Sequence, residues 1–313
     1  AGRPATSSSL RLGRLELDVG VSTWQGGKDM QEDRYVLEMH LRAADGQTAV
    51  GFCVLDGHSG PRCVDHLVEH LPANLQAAVQ GKPTITTQTL EQAVLEACQR
   101  TDSEFLAPAR QLEAMDGSTM ILGLLYEEEG KYRLLVANVG DSRAVLCRAT
   151  DRRGQLGALR LSQDQKPDRE DEKQRVQAKG GEVGFQGVWR IFLPEPVRFG
   201  GRLIPRWGLA VSRSFGDLLL KEPENYGCSK VTPGGLVSAD PELHVVDVDP
   251  ATDRFLVLAC DGIWDVLRDE DAVAVCAGQA GAELAAHSLV RHAFAAGSGD
   301  NLTALVVSWR DAE

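Results

Sequence analysis

The chain has 313 residues, 43% hydrophobic and 25% charged, and no apolar run approaches the roughly 18 residues of a membrane span, so an ordinary soluble globule is expected. Its net charge of −12 argues against a nucleic-acid binder, which needs basic patches. The seven cysteines, at 53, 63, 98, 147, 228, 260 and 276, form no C-x-x-C pair and several lie in apolar runs, which disfavours a disulfide scaffold or a cysteine-built zinc site and favours a reducing compartment.

The first ten residues, AGRPATSSSL, lack the apolar core of a signal peptide. An intracellular setting, cytoplasmic or nuclear, is the expectation; N-terminal targeting stays open because the chain does not start with Met. In chain order, β-branched and apolar runs predict strands over Leu15–Thr23, Asp33–His40 and Val50–Leu55. Apolar residues at three-to-four spacing then predict helices over Pro61–Gln80 and Thr89–Leu106. Strands follow over Thr119–Tyr126, Lys131–Val139 and Ser142–Arg148, the last two reading as a hairpin with its tip at Val139-Gly140-Asp141-Ser142. A helix over Arg169–Lys179 stops at Gly180-Gly181. The stretch from about Gly184 to Gly235, rich in Gly, Pro and Arg, reads as surface excursions. A strand over Phe255–Ala259, helices over Asp269–Ala277 and Ala282–Ala295, and a strand over Leu302–Trp309 complete the chain. Strands joined by short turns, with helices arriving in pairs, predict an α+β fold of antiparallel sheets, and the lack of a Pro/Ser-rich linker predicts one domain over 1–313.

Carboxylates recur at strand ends. Asp33 precedes a strand, Asp56-Gly57-His58 follows one, Asp141 sits at a tip, Asp261-Gly262 follows a strand and Asp300-Asn301 precedes another. Oxygen-only sets of this kind suit Mg²⁺ or Mn²⁺, with a glycine letting a backbone carbonyl approach. Four aspartates balance the charge of two divalent ions, and such a pair can make a water nucleophilic near neutral pH. Taken singly, each Asp reads first as an ordinary turn residue and His58 as a loop or helix-capping imidazole, and spacing does not show that the segments converge.

The ordered segments GGKDMQED, VLDGHSG, DGSTMILGLL, VANVGDSRAVL, LAVSRSFGD, LACDGIWDVL and GSGDNLTALVV resemble the metal-dependent protein phosphatases, the type-2C serine/threonine family, from about Gly20 to Trp309. The resemblance implies a central sandwich of two antiparallel β-sheets flanked by helices on both sides, with two Mg²⁺ or Mn²⁺ ions at one end. It implies Asp33, Asp56, the Gly57 carbonyl, Asp261 and Asp300 as metal ligands, with Glu32 behind them and Asp141 at a weaker third metal. His58 would be the general acid, and Asn301 and Thr119 would orient water. A metal-bridging hydroxide would then attack phosphoserine or phosphothreonine directly. The partners implied are phosphorylated proteins, met by a monomer. The other readings are a pseudophosphatase acting as a binding module, though no ligand Asp is lost, and a hydrolase of small phosphate esters.

Two departures stand out. Lys28 occupies the place of the family's phosphate-binding arginine, and Lys grips phosphate as a point charge where Arg offers a fork. The region near 184–208 reads as an enlarged flap, with Phe192–Trp207 as the insertion. There Trp189, Phe192, Phe199 and Trp207 alternate with Arg190, Arg198, Arg202 and Arg206, as a surface docking phosphoprotein or as a hairpin packed on the body.

Overall fold

The computed structural model describes residues 6–150 and 155–311, and elements are numbered in chain order. Two antiparallel sheets face each other. One runs β1 (Thr6–Leu12), β2 (Leu15–Trp24), β19 (Leu302–Asp311), β18 (Asp253–Ala259), β9 (Arg143–Ala149), β10 (Leu156–Arg160). The other runs β17 (Glu242–Val248), β8 (Lys131–Val139), β7 (Met120–Glu128), β4 (Thr48–Leu55), β3 (Arg34–Arg42). Helices α1 (Arg62–Gln80) and α2 (Thr87–Leu112) cover the second sheet, while α6 (Asp269–Ala277) and α7 (Ala282–Ala295) cover the first. Short helices α3 (Glu170–Ala178), α4 (Leu218–Lys221) and α5 (Asp261–Trp264) lie in the connections.

Strand β4 explains why its sequence is apolar without a break. Val50, Phe52 and Val54 point between the sheets, whereas Ala49, Cys53 and Leu55 point at the helices. Both faces of the strand are dry, so the period-two alternation of a half-exposed strand is erased.

The expected hairpin over residues 131–148 does not form. β8 pairs with β7 and β17, whereas β9 pairs with β18 and β10, in the opposite sheet. Gly140, at φ +104°, turns the chain from one sheet to the other. A short connection between apolar strands serves a hairpin or a crossover equally, and sandwich packing decides between them.

A three-stranded strip closes the same end of the sandwich, with β6 (Gly117–Ser118) between β5 (Gly57–His58) and β16 (Phe215–Gly216). The flap combines β11 (Glu182–Gln186), β12 (Val188–Phe192) and β15 (Gly208–Leu209) with a hairpin of β13 (Val197–Phe199) and β14 (Arg202–Ile204). The stretch read as irregular therefore holds six short strands, α4 and one 3₁₀ turn. None of the helices described is long and apolar enough to cross a membrane.

Candidate metal centre

Register brings the carboxylates together. Arg34 lies opposite Leu55, so Asp33 before β3 and Asp56 after β4 leave the same sheet end. Ala259 lies opposite both Ala304 and Arg143, which sends Asp261, Asp300 and Asp141 to that end as well. Trp24 opposite Leu302 starts the loop carrying Lys28 and Glu32 beside them.

A cleft of about 520 Å³ results, lined by Lys28, Glu32, Asp56, Gly57, His58, Thr119, Asp141, Asp261, Asp300 and Asn301, with the flap as its far wall. Asp33 lies beneath, 3% exposed, its ligand oxygen within 4.8 Å of those of Asp56 and of the Cys260 sulfur. The catalytic and metal-site candidates named from the sequence thus gather at one place, whereas Phe192, Arg198, Phe199, Arg202 and Arg206 of the flap do not line it.

Neither oxygen of the buried Asp33 carboxylate has a hydrogen-bond partner. Burial, reinforced by the charge of Asp300, outweighs the opposing pull of the nearby Thr303 and Cys260 side chains and pushes its carboxyl up to about 6. Burial and then the neighbouring carboxylates raise Asp56 and Asp261 well above the usual range. Such a set is held at a cost that divalent cations would reverse, so the residues fit hard cations, with Asp33, Asp56, Asp261, Asp300 and the Gly57 carbonyl as donors.

Gly57 has a second reason to be glycine. A Cβ there would stand 2.7 Å from the Glu32 carbonyl oxygen and 2.9 Å from Val64. Glu32 Oε1 accepts from Gly60 N at 2.7 Å, pinning the loop behind His58. Asn301 is committed to backbone: Oδ1 accepts from Glu32 N at 2.8 Å, and Nδ2 donates to the Gln25 and Met30 carbonyls, both at 2.9 Å. Thr119 Oγ1 meets Ser142 Oγ at 2.8 Å and accepts from Asp56 N at 3.3 Å. In these contacts both side chains brace ligand loops, where water orientation was expected of them.

Lys28 Nζ lies 2.7 Å from Asp300, on the cleft wall. Burial pulls its pKa down, but the bond to Asp300 prevails and leaves it raised. Asp141 is already matched by a cation, since Lys166 Nζ lies 3.3 Å from it and 3.0 Å from Asp265. A third metal there would have to displace that ammonium. His58 Nε2 is 2.8 Å from Asp217 Oδ2, and although burial opposes the charged ring, the Asp217 charge and hydrogen bond leave its pKa raised.

Three neighbours escaped the sequence reading. Asp265 lines the cleft one helical turn after Asp261, a spacing visible in CDGIWD. Cys260 receives Thr303 N–H at 3.2 Å and donates toward the Asn301 carbonyl at 3.5 Å; burial and then the Asp33 charge raise its pKa, keeping a thiol beside the acids. Asp217 stands in the quoted SRSFGD, 159 residues after its partner His58, and only the strip of short strands joins them.

An acidic centre suited to hard cations thus lies at the end of an α-β-β-α sandwich, faced by a lysine and a histidine. The family profile described as Protein phosphatase 2C matches residues 17–302, and the chain belongs to that family of metal-dependent serine/threonine protein phosphatases. It is 36% identical to the probable protein phosphatase 2C 59 of Oryza sativa subsp. japonica, over 100% of this chain and 82% of the relative. It is 37% identical to the probable protein phosphatase 2C 52 of the same organism, over 94% of this chain but only 51% of that longer protein. A crystal structure of serine-threonine phosphatase 2C from Toxoplasma gondii has the same fold, with TM-score 0.72, 23% identity and coverage of 98% of this chain and 99% of that one.

Proposed function

We propose that the protein hydrolyses phosphoserine and phosphothreonine esters of proteins by direct attack of water, without a phospho-enzyme. The observation that carries this reading is the buried Asp33 carboxylate with both oxygens unpartnered, close to Asp56, at the foot of a cleft that His58 and Lys28 face. Asp33, Asp56, Gly57, Asp261 and Asp300 would hold two Mg²⁺ or Mn²⁺ ions, which when bound activate water and offset charge on the phosphoryl oxygens. Lys28, beside Asp300, meets the substrate phosphate as a point charge. His58 gives a proton to the leaving seryl or threonyl oxygen. The exposed Phe185, Val188 and Trp189 of the flap, with Arg190 and Trp207 on the cleft wall, support docking of the substrate protein there. The seven buried free thiols support an intracellular setting.

His58→Gln tests the acid. An alkoxide needs a proton to leave and a phenolate hardly does, so phosphothreonine-peptide hydrolysis should fall about 10²–10⁴-fold while p-nitrophenyl phosphate hydrolysis changes little. Equal slowing of both substrates would remove His58 from that role.

A further inference from the structure

We propose that Asp217 is the positioning residue of His58, holding the ring by Nε2 so that Nδ1 is the nitrogen that protonates the leaving oxygen. The proposal rests on the reading of His58 as the acid.

The geometry is built for this one contact. In the three-stranded strip His58 pairs with Gly117, and Gly117 pairs with Gly216 on its other side. His58 and Asp217 therefore reach toward each other across Gly117. A Cβ at Gly117 would fall 2.2 Å from His58 Nε2 and 2.2 Å from Asp217 Oδ2, so any other residue would part them. Among the described residues, the ring's hydrogen bond is the one at Nε2.

Asp217 is itself held from several sides. It is 2% exposed, its Oδ2 also accepts from Ser214 Oγ at 2.5 Å, and its N–H donates to the Asp116 carbonyl at 3.0 Å. Gly216 and Asp217 follow each other at φ +70° and +52°, left-handed values that Gly and Asp tolerate better than most residues. Behind them Asp102 Oδ1 accepts from Gly216 N at 2.8 Å, and Asp102 forms a buried ion pair with Lys221. A carboxylate on one ring nitrogen fixes the tautomer and the plane of an imidazole, leaving the other nitrogen to act.

The step then balances. As the ester P–O bond breaks, its electron pair stays on the seryl or threonyl oxygen, which takes the proton from Nδ1. The ring keeps the Nε2 proton, still donated to Asp217, while the attacking water supplies the fourth oxygen of inorganic phosphate and releases a proton to solvent, from which Nδ1 is reprotonated before the next turnover.

Steady-state kinetics on a phosphothreonine peptide and on p-nitrophenyl phosphate, for wild type, His58→Gln, Asp217→Asn, Ser214→Ala and the His58→Gln/Asp217→Asn pair, test this. Asp217→Asn should lower kcat on the peptide by about 10²-fold, the low end for a lost general acid, with KM and aryl-ester turnover within about threefold. Asn also suits the left-handed backbone, and should Asp217→Asn not fold, Ser214→Ala must show the same split more weakly. The double variant should be no slower than His58→Gln, because the two residues act as one unit. Nitrogen-detected spectra of the metal-free protein should show the neutral His58 ring as the Nε2–H tautomer, and a tautomer mixture in Asp217→Asn. Equal loss on both substrates, additive losses in the double variant, or an Nδ1–H tautomer in wild type would overturn the proposal. If His58→Gln itself fails to separate the substrates, the acid reading falls and Asp217 has nothing to position. If His58→Gln separates them and Asp217→Asn does not, this inference alone is lost.

Discussion

Lys28 stands between two anions, the Asp300 carboxylate at 2.7 Å and the substrate phosphate proposed above. Lys28→Ala should cost one charge-assisted contact, about 1.5–3 kcal/mol, seen mainly as a KM roughly 10–100-fold higher if ground and transition states use it equally. The same change frees Asp300, so calorimetry should show tighter Mn²⁺ binding; unchanged KM and unchanged Mn²⁺ affinity would return Lys28 to the solvated surface. Away from the cleft, Glu172 carries a different load. It is 1% exposed and accepts from Arg175 at 2.8 Å and Arg213 at 2.7 Å. Burial alone would raise its pKa, but those hydrogen bonds outweigh it and bring the carboxyl down to about 2. A carboxyl depressed on folding stabilises the protein above its unfolded pKa, near 4.5, and loses that contribution as pH falls toward 2. Glu172→Gln should therefore cost roughly 3 kcal/mol at pH 7, by the conversion of pKa shift to free energy. Urea midpoints of the two proteins should draw together between about pH 4.5 and 2, by the same linkage. A pH-independent difference would assign the effect to packing.

The flap divides its aromatic residues between two duties. Phe192 and Phe199 belong to the core, with Phe199 edge-on to Tyr226 at 5.0 Å and Arg206 stacked 4.1 Å over Phe192. For these two the packed-hairpin reading holds. Phe185 and Trp189, 63% and 39% exposed, form an edge-on pair at the rim. Phe199→Ala should thus cost about 3–5 kcal/mol in unfolding. Trp189→Ala should leave stability within about 0.5 kcal/mol while raising KM for phosphoproteins and not for small esters. A loss of stability in Trp189→Ala, or equal KM shifts for both substrates, would count against docking there. Sequence periodicity served well wherever an element had a buried face of its own: Lys131–Val139, Asp269–Ala277 and Ala282–Ala295 are bounded as expected. It failed for β1, whose Ser7-Ser8-Ser9 lies on an exposed edge, and for β17, another edge strand with little buried surface. It also failed for the strip of two-residue strands, too short for any period, and so Asp217 went unseen although its residue stood in a quoted segment. The carboxylates proposed as metal ligands could be picked out because each strand end is marked twice, by an apolar run and by an Asp.

Across the whole molecule, acids crowded at one end of the sandwich make the fold and the cations interdependent. Saturating Mn²⁺, at about 100 times its Kd, should stabilise the native state by about 2.7 kcal/mol. For a chain of this size that is a rise in melting temperature of about 4 °C. Asp33→Asn removes the buried carboxylate's charge and should melt higher than wild type in chelator but respond weakly to Mn²⁺; an equal response, or full turnover by wild type in excess chelator, would sink the two-metal reading. The position of β19 carries the interdependence into biosynthesis. It lies inside its sheet, between β2 and β18, and the Asp300-Asn301 pair just ahead of it supplies one carboxylate and ties down the loop of residues 25–32. A nascent chain still lacking residues 300–311 on the ribosome has a split sheet, an untethered first loop and three of the four acids. On the proposed ligand set such a chain lacks both a metal donor and the strand that completes its sheet, so hydrolytic power is expected only once β19 is in place.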